Sequence, residues 1–203
     1  MKEKFYYYTI EKPSVAEFKD RGSKFIAYAF PLSDTDIFKK HLQALKKEHP
    51  KAVHFCFAYR IGTDGNNFRT SDDGEPAGSA GKPILGQIDS KELSDVLVIV
   101  VRYFGGTLLG VPGLINAYKT TTALALQLTP NIQKPVTENY NLSFDYTRLN
   151  DVMLVLKKLK CTVLKSEVQL FCNMQVAMPK ENAGQVIDKL HDLQNIEVTK
   201  MEG

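Results

Sequence analysis

Between Ser71 and Gly86 the chain reads SDDGEPAGSAGKPILG, which sets Asp72, Asp73 and Glu75 just ahead of Ser79 and Lys82. Carboxyl groups this close together can supply an acid–base pair, with His54 as a distant base and Ser79 as a hydroxyl nucleophile. A second chemistry fits the same run. Ser79, Ala80 and Gly81 open a short helix, expected over residues 79–87, whose free N–H groups and small side chains let a phosphate or carboxylate come close. Lys82 adds positive charge there. The three acids would repel that anion unless arginines offset them, and Arg60, Arg69 and Arg102 are the candidates. The reading adopted is a turn held by carboxylate–arginine pairing, with anion binding at its rim. Acids in a Gly-rich turn also cap backbone N–H groups and helix starts as a matter of course.

Two nucleotide-type loops compete with this reading. A Walker loop needs glycine where Pro76 stands and a hydroxyl residue where Pro83 stands, so it is excluded. Gly78 to Gly81 match the short G-x-x-G loop of RNA-binding KH modules, but two fixed positions carry little weight.

A second glycine cluster, RYFGGTLLGVPGLINAYK, runs from Arg102 to Lys119. Arg102 and Tyr103 end a strand, Gly105, Gly106 and Gly110 shape a tight excursion, and a helix begins near Pro112. Binding sites in α/β sheets favour the crevice beyond strand ends. With the two turns side by side, Arg102, Tyr103, Lys82, Glu75 and Asp73 would share one surface. Tyr103 and Phe104 would then offer a stacking face for a base.

The elements that must position these residues follow from periodicity. Lys4 to Ile10, Lys24 to Phe30 and Ala52 to Ile61 are strand-like, and Ser33 with Asp36 resembles an N-cap pair for a helix reaching Pro50. Val96 to Val101 (VLVIVV) is continuously apolar, as in a strand buried on both faces. In the helix after Pro112, Leu114, Tyr118, Thr121, Ala125 and Leu128 line one side. Thr129 to Pro135, with two prolines, reads as a linker. Beyond it come a strand from Val136 to Tyr146, a helix capped by Thr147, strands at 162–170 and 172–178, a helix at 180–191 and a last strand at 195–200. That order, β-α-β-β-α-β, is the ferredoxin-like pattern. Two domains are expected, residues 1–132 and 133–203.

Composition narrows the class. A chain of 203 residues with 43% hydrophobic and 24% charged residues is long enough for a real core in either one domain or two. Three widely spaced cysteines (Cys56, Cys161, Cys172) suit reduced core thiols better than disulfides or zinc knuckles. Neither a membrane-spanning run nor a signal-type segment is evident, so a cytoplasmic location and no membrane partner are expected. The net charge is only +3; residues 1–130 hold 17 Lys/Arg against 14 Asp/Glu, and the remainder 9 against 9. No metal-ligand cluster or spaced Ser/His/Asp set is present, and no cofactor is expected.

The segments SDDGEPAGSAGKPIL and VVRYFGGTLLGVPGLINAY resemble the two signature stretches of the YigZ/IMPACT family, and GSKFIAYAF and VHFCFAYRIG resemble weaker upstream ones. The resemblance covers roughly residues 17–125. It implies an α/β (α+β) protein. The N-terminal domain would be a left-handed β-α-β fold like the second domain of a small-subunit ribosomal protein. The second would be ferredoxin-like, similar to a domain of elongation factor G. Eukaryotic members are associated with translational control through inhibition of stress-kinase activation. The chain departs from the pattern at Ser79, where threonine is expected, at Val111-Pro112, and at Asn116, a frequent arginine position. The last change removes positive charge from the proposed surface.

The expected function is RNA- or ribosome-associated binding that regulates translation, with RNA, ribosome or translation-linked proteins as partners. Ser79, Gly81, Lys82, Arg102, Tyr103, Gly105, Gly106 and Arg60 would form its binding site. The alternative is an enzyme acting on a small anionic substrate through Asp73 or Glu75 with His54. A third possibility uses the ferredoxin-like sheet as a docking face. A polar open face there would favour RNA or solvent, and an apolar one a protein partner.

Overall fold

A computed structural model describes residues 4–201. The elements in chain order are β1 Tyr6–Ile10, β2 Ser14–Asp20, β3 Ser23–Pro31, α1 Thr35–Glu48, β4 His54–Ile61, β5 Asn67–Ser71, α2 Gly81–Ser90, β6 Val96–Tyr103 and α3 Gly110–Gln127. Then follow β7 Asn131–Pro135, β8 Thr137–Asp145, a 3-10 turn Tyr146–Arg148, α4 Leu149–Lys158, β9 Thr162–Val168, β10 Phe171–Pro179, α5 Ala183–Asp192 and β11 Ile196–Lys200. The chain is a mixed α/β protein of two compact units. Tyr7–Lys134 make the larger; of the described residues, the smaller holds 135–201 together with 4–6.

In the larger unit five strands form an antiparallel sheet in the order β2-β3-β6-β4-β5. The central β6 is the VLVIVV run, and its alternating residues enter two separate cores. Val96, Val98 and Val100 pack with Ile84 and Ile88 of α2 and with Leu114, Ala117 and Ala125 of α3. Leu97, Ile99 and Val101 face Phe38 and Leu45 of α1. Each such side chain contributes about 1.5–3 kcal/mol when fully buried, so helices on both faces account for the unbroken apolar pattern. The α1 N-cap is Asp34 rather than the Ser33–Asp36 pair: its Oδ1 accepts the N–H groups of Asp36 (2.8 Å) and Ile37 (2.9 Å). Leu128, expected on the buried side of α3, is exposed beyond the end of that helix.

The smaller unit carries a four-stranded antiparallel sheet ordered β11-β8-β10-β9. Leu142, Phe144, Met174 and Val176 share its core with Val152 and Leu156 of α4 and Val186 and Leu190 of α5. The opposite face presents Asn141, Ser143, Lys165, Glu167, Asn173, Gln175, Glu197 and Thr199. Strand sequence and sheet order match the ferredoxin-like arrangement. Asp145, not Thr147, caps the turn leading into α4, with its Oδ1 2.8 Å from the Thr147 N–H.

Three strands lie where the sequence pattern suggested none. Asn131–Pro135, read as linker, pairs with β1. β5 pairs β4 at the sheet edge, and β2 pairs β3 with Ala16 and Phe18 turned toward the core.

Between Gly22 and Gly105 the backbones come so close that a Cβ on Gly105 would lie 1.9 Å from the Gly22 carbonyl carbon. Gly105→Ala is therefore expected to destabilise the chain by about 2–4 kcal/mol, read as a lowered denaturation midpoint. Gly106→Ala meets no atom within 4 Å and strains only a φ of +83°, so its cost should stay near 1 kcal/mol.

Candidate functional site

The two glycine-rich turns meet at Glu75 and Arg102. Arg102 lies near the end of β6 with its side chain on the α2/α3 side, opposite His54 in the β4 register. Its Nη1 donates to Glu75 Oε1 at 2.6 Å, and side-chain exposure is 6% and 3% for the two residues. The Tyr118 hydroxyl on α3 donates to the same oxygen at 2.7 Å, while Cys56 Sγ lies 3.2 Å from that hydroxyl. The guanidinium carbon sits 5.4 Å from the Phe25 ring centroid and 5.7 Å from that of Phe104. Those aromatic faces partly replace water around the cation. Among the described residues Arg102 Nε has no hydrogen-bond partner.

Burial raises the pKa of Tyr118, and the neighbouring Cys56 and Glu75 raise it further. Burial likewise pushes the Cys56 thiol up, far from the thiolate that nucleophilic chemistry needs.

The remaining acids are also engaged. Asp72 accepts the N–H groups of Gly78 (2.8 Å), Ala80 (3.0 Å) and Gly81 (2.8 Å). The start of α2, read from the sequence as an anion site, is thus filled by the chain's own carboxylate. Desolvation raises the Asp72 pKa, but the three backbone N–H groups and Lys82 outweigh it and hold it below its ordinary value. Asp73, at φ +42°, accepts the Phe55 N–H on Oδ2 at 2.7 Å. Its carbonyl lies 2.7 Å from His54 Nδ1. A carbonyl only accepts, so Nδ1 carries a proton and Nε2 is turned toward Glu75 Oε2 at 3.9 Å. Nδ1 is thus held by the chain, while Nε2 lies beyond hydrogen-bond distance of Glu75 on a side chain that is 23% exposed.

The proposed residues separate into groups. Glu75, Arg102, His54 and Asp73 come together. Ser79 is buried, its hydroxyl donating to the Pro76 carbonyl at 2.6 Å. Gly81 lies against β5, where a Cβ would approach the Ser71 nitrogen to 2.9 Å. Lys82 is exposed at the first turn of α2, and Gly105 and Gly106 are exposed on the second turn.

Tyr103 does not share the Arg102 surface. Neighbouring strand residues point to opposite faces, and its hydroxyl lies 2.9 Å from His49 Nδ1 on the α1 side. Arg60 stands six residues from His54 along β4, about 20 Å away. There it pairs with Asp89 at 2.8 Å. Arg69 lies against the Phe57 ring. The Arg102 placement is itself a correction, because the cation expected to greet an anion is sealed and neutralised.

Sequence reasoning passed over Tyr118, Ser23 and His49 as site residues. Ser23 Oγ accepts the Gly105 N–H at 3.2 Å and so fixes the second turn. His49 links two hydroxyls, with Tyr28 2.7 Å from its Nε2. A tyrosine inside the apolar stripe of α3 was the available signal for Tyr118, since a buried phenol requires a partner.

A family model described as the Impact N-terminal domain matches residues 21–126, which include both turns and the Glu75–Arg102 pair. A relative named IMPACT family member YigZ, from Escherichia coli (strain K12), is 36% identical over 175 residues, 85% of each chain. The chain belongs to the IMPACT family. Within that family, Protein IMPACT of Rattus norvegicus is 38% identical over 100 residues, 47% of this chain and 31% of the rat protein. A solved structure described only as a hypothetical protein is similar over 98% of this chain and 99% of its own, at a TM-score of 0.80 and 29% identity. The fold of this chain is therefore shared with that solved structure over nearly its whole length.

Asp72→Ala should cost about 1–2 kcal/mol at pH 7, the scale of a lost helix cap. A carboxyl held below its unfolded pKa stabilises the fold above that value and loses the contribution as pH falls through the folded one. Denaturant titrations should thus show the difference between wild type and Asp72→Ala shrinking toward pH 3. For the buried pair, Arg102→Met should cost about 3–5 kcal/mol by stranding Glu75. Adding Glu75→Gln should recover much of that loss in a double-mutant cycle.

Proposed function

We propose that the chain is a non-catalytic binding protein of translational control, and that a protein partner of the translation machinery docks on the exposed lip of the second glycine-rich turn. One observation carries this reading: the acids of the signature turn are satisfied within the chain, while apolar side chains beside them face outward. Leu108 is 82% exposed, and Phe104, Val111 and Ile115 are also exposed along the loop and the first turns of α3. An apolar patch of this kind suits a protein surface better than a phosphate backbone.

The link to translation rests on family membership and on the association of eukaryotic members with translational control. RNA binding led by phosphate contacts is less well supported. Asp72 fills the α2 N-terminus, Glu75 neutralises Arg102, and Arg60 is committed to Asp89. The open face of the ferredoxin-like sheet is polar, as solvent or RNA would favour, yet its Lys165 is paired with Glu167 and Glu197 adds negative charge. Catalysis by His54 with Glu75 is less well supported, because the Glu75 carboxylate is buried and its Oε1 is taken by Arg102 and Tyr118.

Co-sedimentation with purified ribosomes over a salt series tests the reading. The full chain should pellet with ribosomes, and Leu108→Asp or Val111→Asp should reduce binding about tenfold, a change of ~1.4 kcal/mol. Salt should have little effect. Binding that falls steeply with salt, and is lost with Lys82→Ala instead of the lip variants, would transfer the role to RNA contact. No co-sedimentation at any salt would refute the proposal.

A further inference from the structure

The smaller unit exposes an apolar band on one side. β9 is an outer strand of its sheet and, among the described residues, is bonded only to β10. Beside it, Met153 and Leu154 of α4 join Cys161, Thr162 and Val163 in lining a groove of about 660 Å³. Leu154 is 66% exposed, and at the β9–β10 hairpin Leu170 is 83% exposed. An edge strand offers unpaired N–H and C=O groups to another strand, so such an edge beside an apolar groove is a pairing surface.

The residues of β9 specify what pairs there. A two-fold axis through Ser166 of an antiparallel β9–β9 ladder would set Lys165 opposite Glu167 of the second copy, and Glu167 opposite Lys165. Lys165 and Glu167 share the open sheet face, lying 2.9 Å apart and facing Gln175 and Asn173 of β10. Directly opposed unlike charges stabilise antiparallel strands, whereas like charges destabilise them. The antiparallel direction also brings the β9–β10 hairpin, with Leu170 just beyond the last strand residue Val168, beside the Thr162 end of the other copy, at the mouth of the apolar groove. Sequence positions that pair with themselves this way are what an isologous dimer requires. The register shift in β9 between the partners of Gln175 and Val176 falls at Leu164, which leaves Lys165 to Glu167 regular. The ladder is short, so the groove contact must supply much of the association.

We propose that the smaller unit forms a symmetric homodimer through antiparallel pairing of β9, with Leu170 of each copy seated in the α4–β9 groove of the other. The occupant of the groove is thus a second copy of this chain.

Sedimentation equilibrium of the full chain between about 1 and 100 μM tests it, a span suited to micromolar self-association. Wild type should shift from monomer to dimer within that span. Leu170→Asp should remain monomeric, and its exposed position leaves the fold intact, as an unchanged melting temperature would verify. Lys165→Glu should weaken dimerisation about tenfold by placing two carboxylates opposite each other at two symmetric positions. Lys165→Glu combined with Glu167→Lys should restore it, because the exchanged charges again face opposite signs. A monomer at every concentration, or a dimer indifferent to both Leu170→Asp and Lys165→Glu, would overturn the proposal. So would a charge-swapped double variant no better than the single one.

Discussion

A carboxylate and a guanidinium, both nearly sealed from water, hold the larger unit's two glycine-rich corners together. Removing two charges from solvent is costly, and the attraction between them compensates only when geometry and further hydrogen bonds are good. Here Glu75 Oε1 receives both Arg102 and Tyr118, while two aromatic rings lie against the cation. Pairing therefore ties a turn from one part of the sequence to a strand end and a helix from another. The glycines around it follow from that closeness: the chain at Gly105 passes Gly22 with no room for a side chain.

This arrangement changes what the signature segments mean. A run of acids followed by small residues and a lysine invites a phosphate or a catalytic pair. In the folded chain those acids cap a helix, accept the N–H of a strand residue and neutralise an arginine. Their role is to set the shape of the corner, which turns other side chains outward. Displayed there are Phe104, Leu108, Val111 and Ile115, the residues of an apolar lip.

Much of the architecture was legible because burial imposes period. VLVIVV could only be a strand covered on both faces, and the β-α-β-β-α-β rhythm after Pro135 required a four-stranded sheet. β2 escaped notice because Val15 is exposed while polar Ser14 and Asp20 turn inward, which breaks the apolar alternation at both ends, and β7 because Pro130 before it and Pro135 at its end look like a linker. At the site, residue types foretold that a carboxylate would meet an arginine. Which arginine was beyond the sequence, since Arg60 and Arg102 lie on neighbouring strands and only strand register separates their ends. Separation of Arg102 from Tyr103 was readable from strand parity alone. That Asp72 would occupy the α2 N-terminus was not, because a carboxylate eight or nine residues away reaches Ala80 and Gly81 only once the turn has closed.

Arg102 Nε is the guanidinium donor left without a partner among the described residues, which makes its proton a direct reporter. NMR observation of the Arg102 Nε–H during titration with inorganic phosphate asks whether any anion reaches this corner. The account predicts a resonance that stays in place to millimolar phosphate, with slow solvent exchange. A saturable shift of that resonance, accompanied by Ala80 and Gly81, would contradict it and return the corner to anion binding.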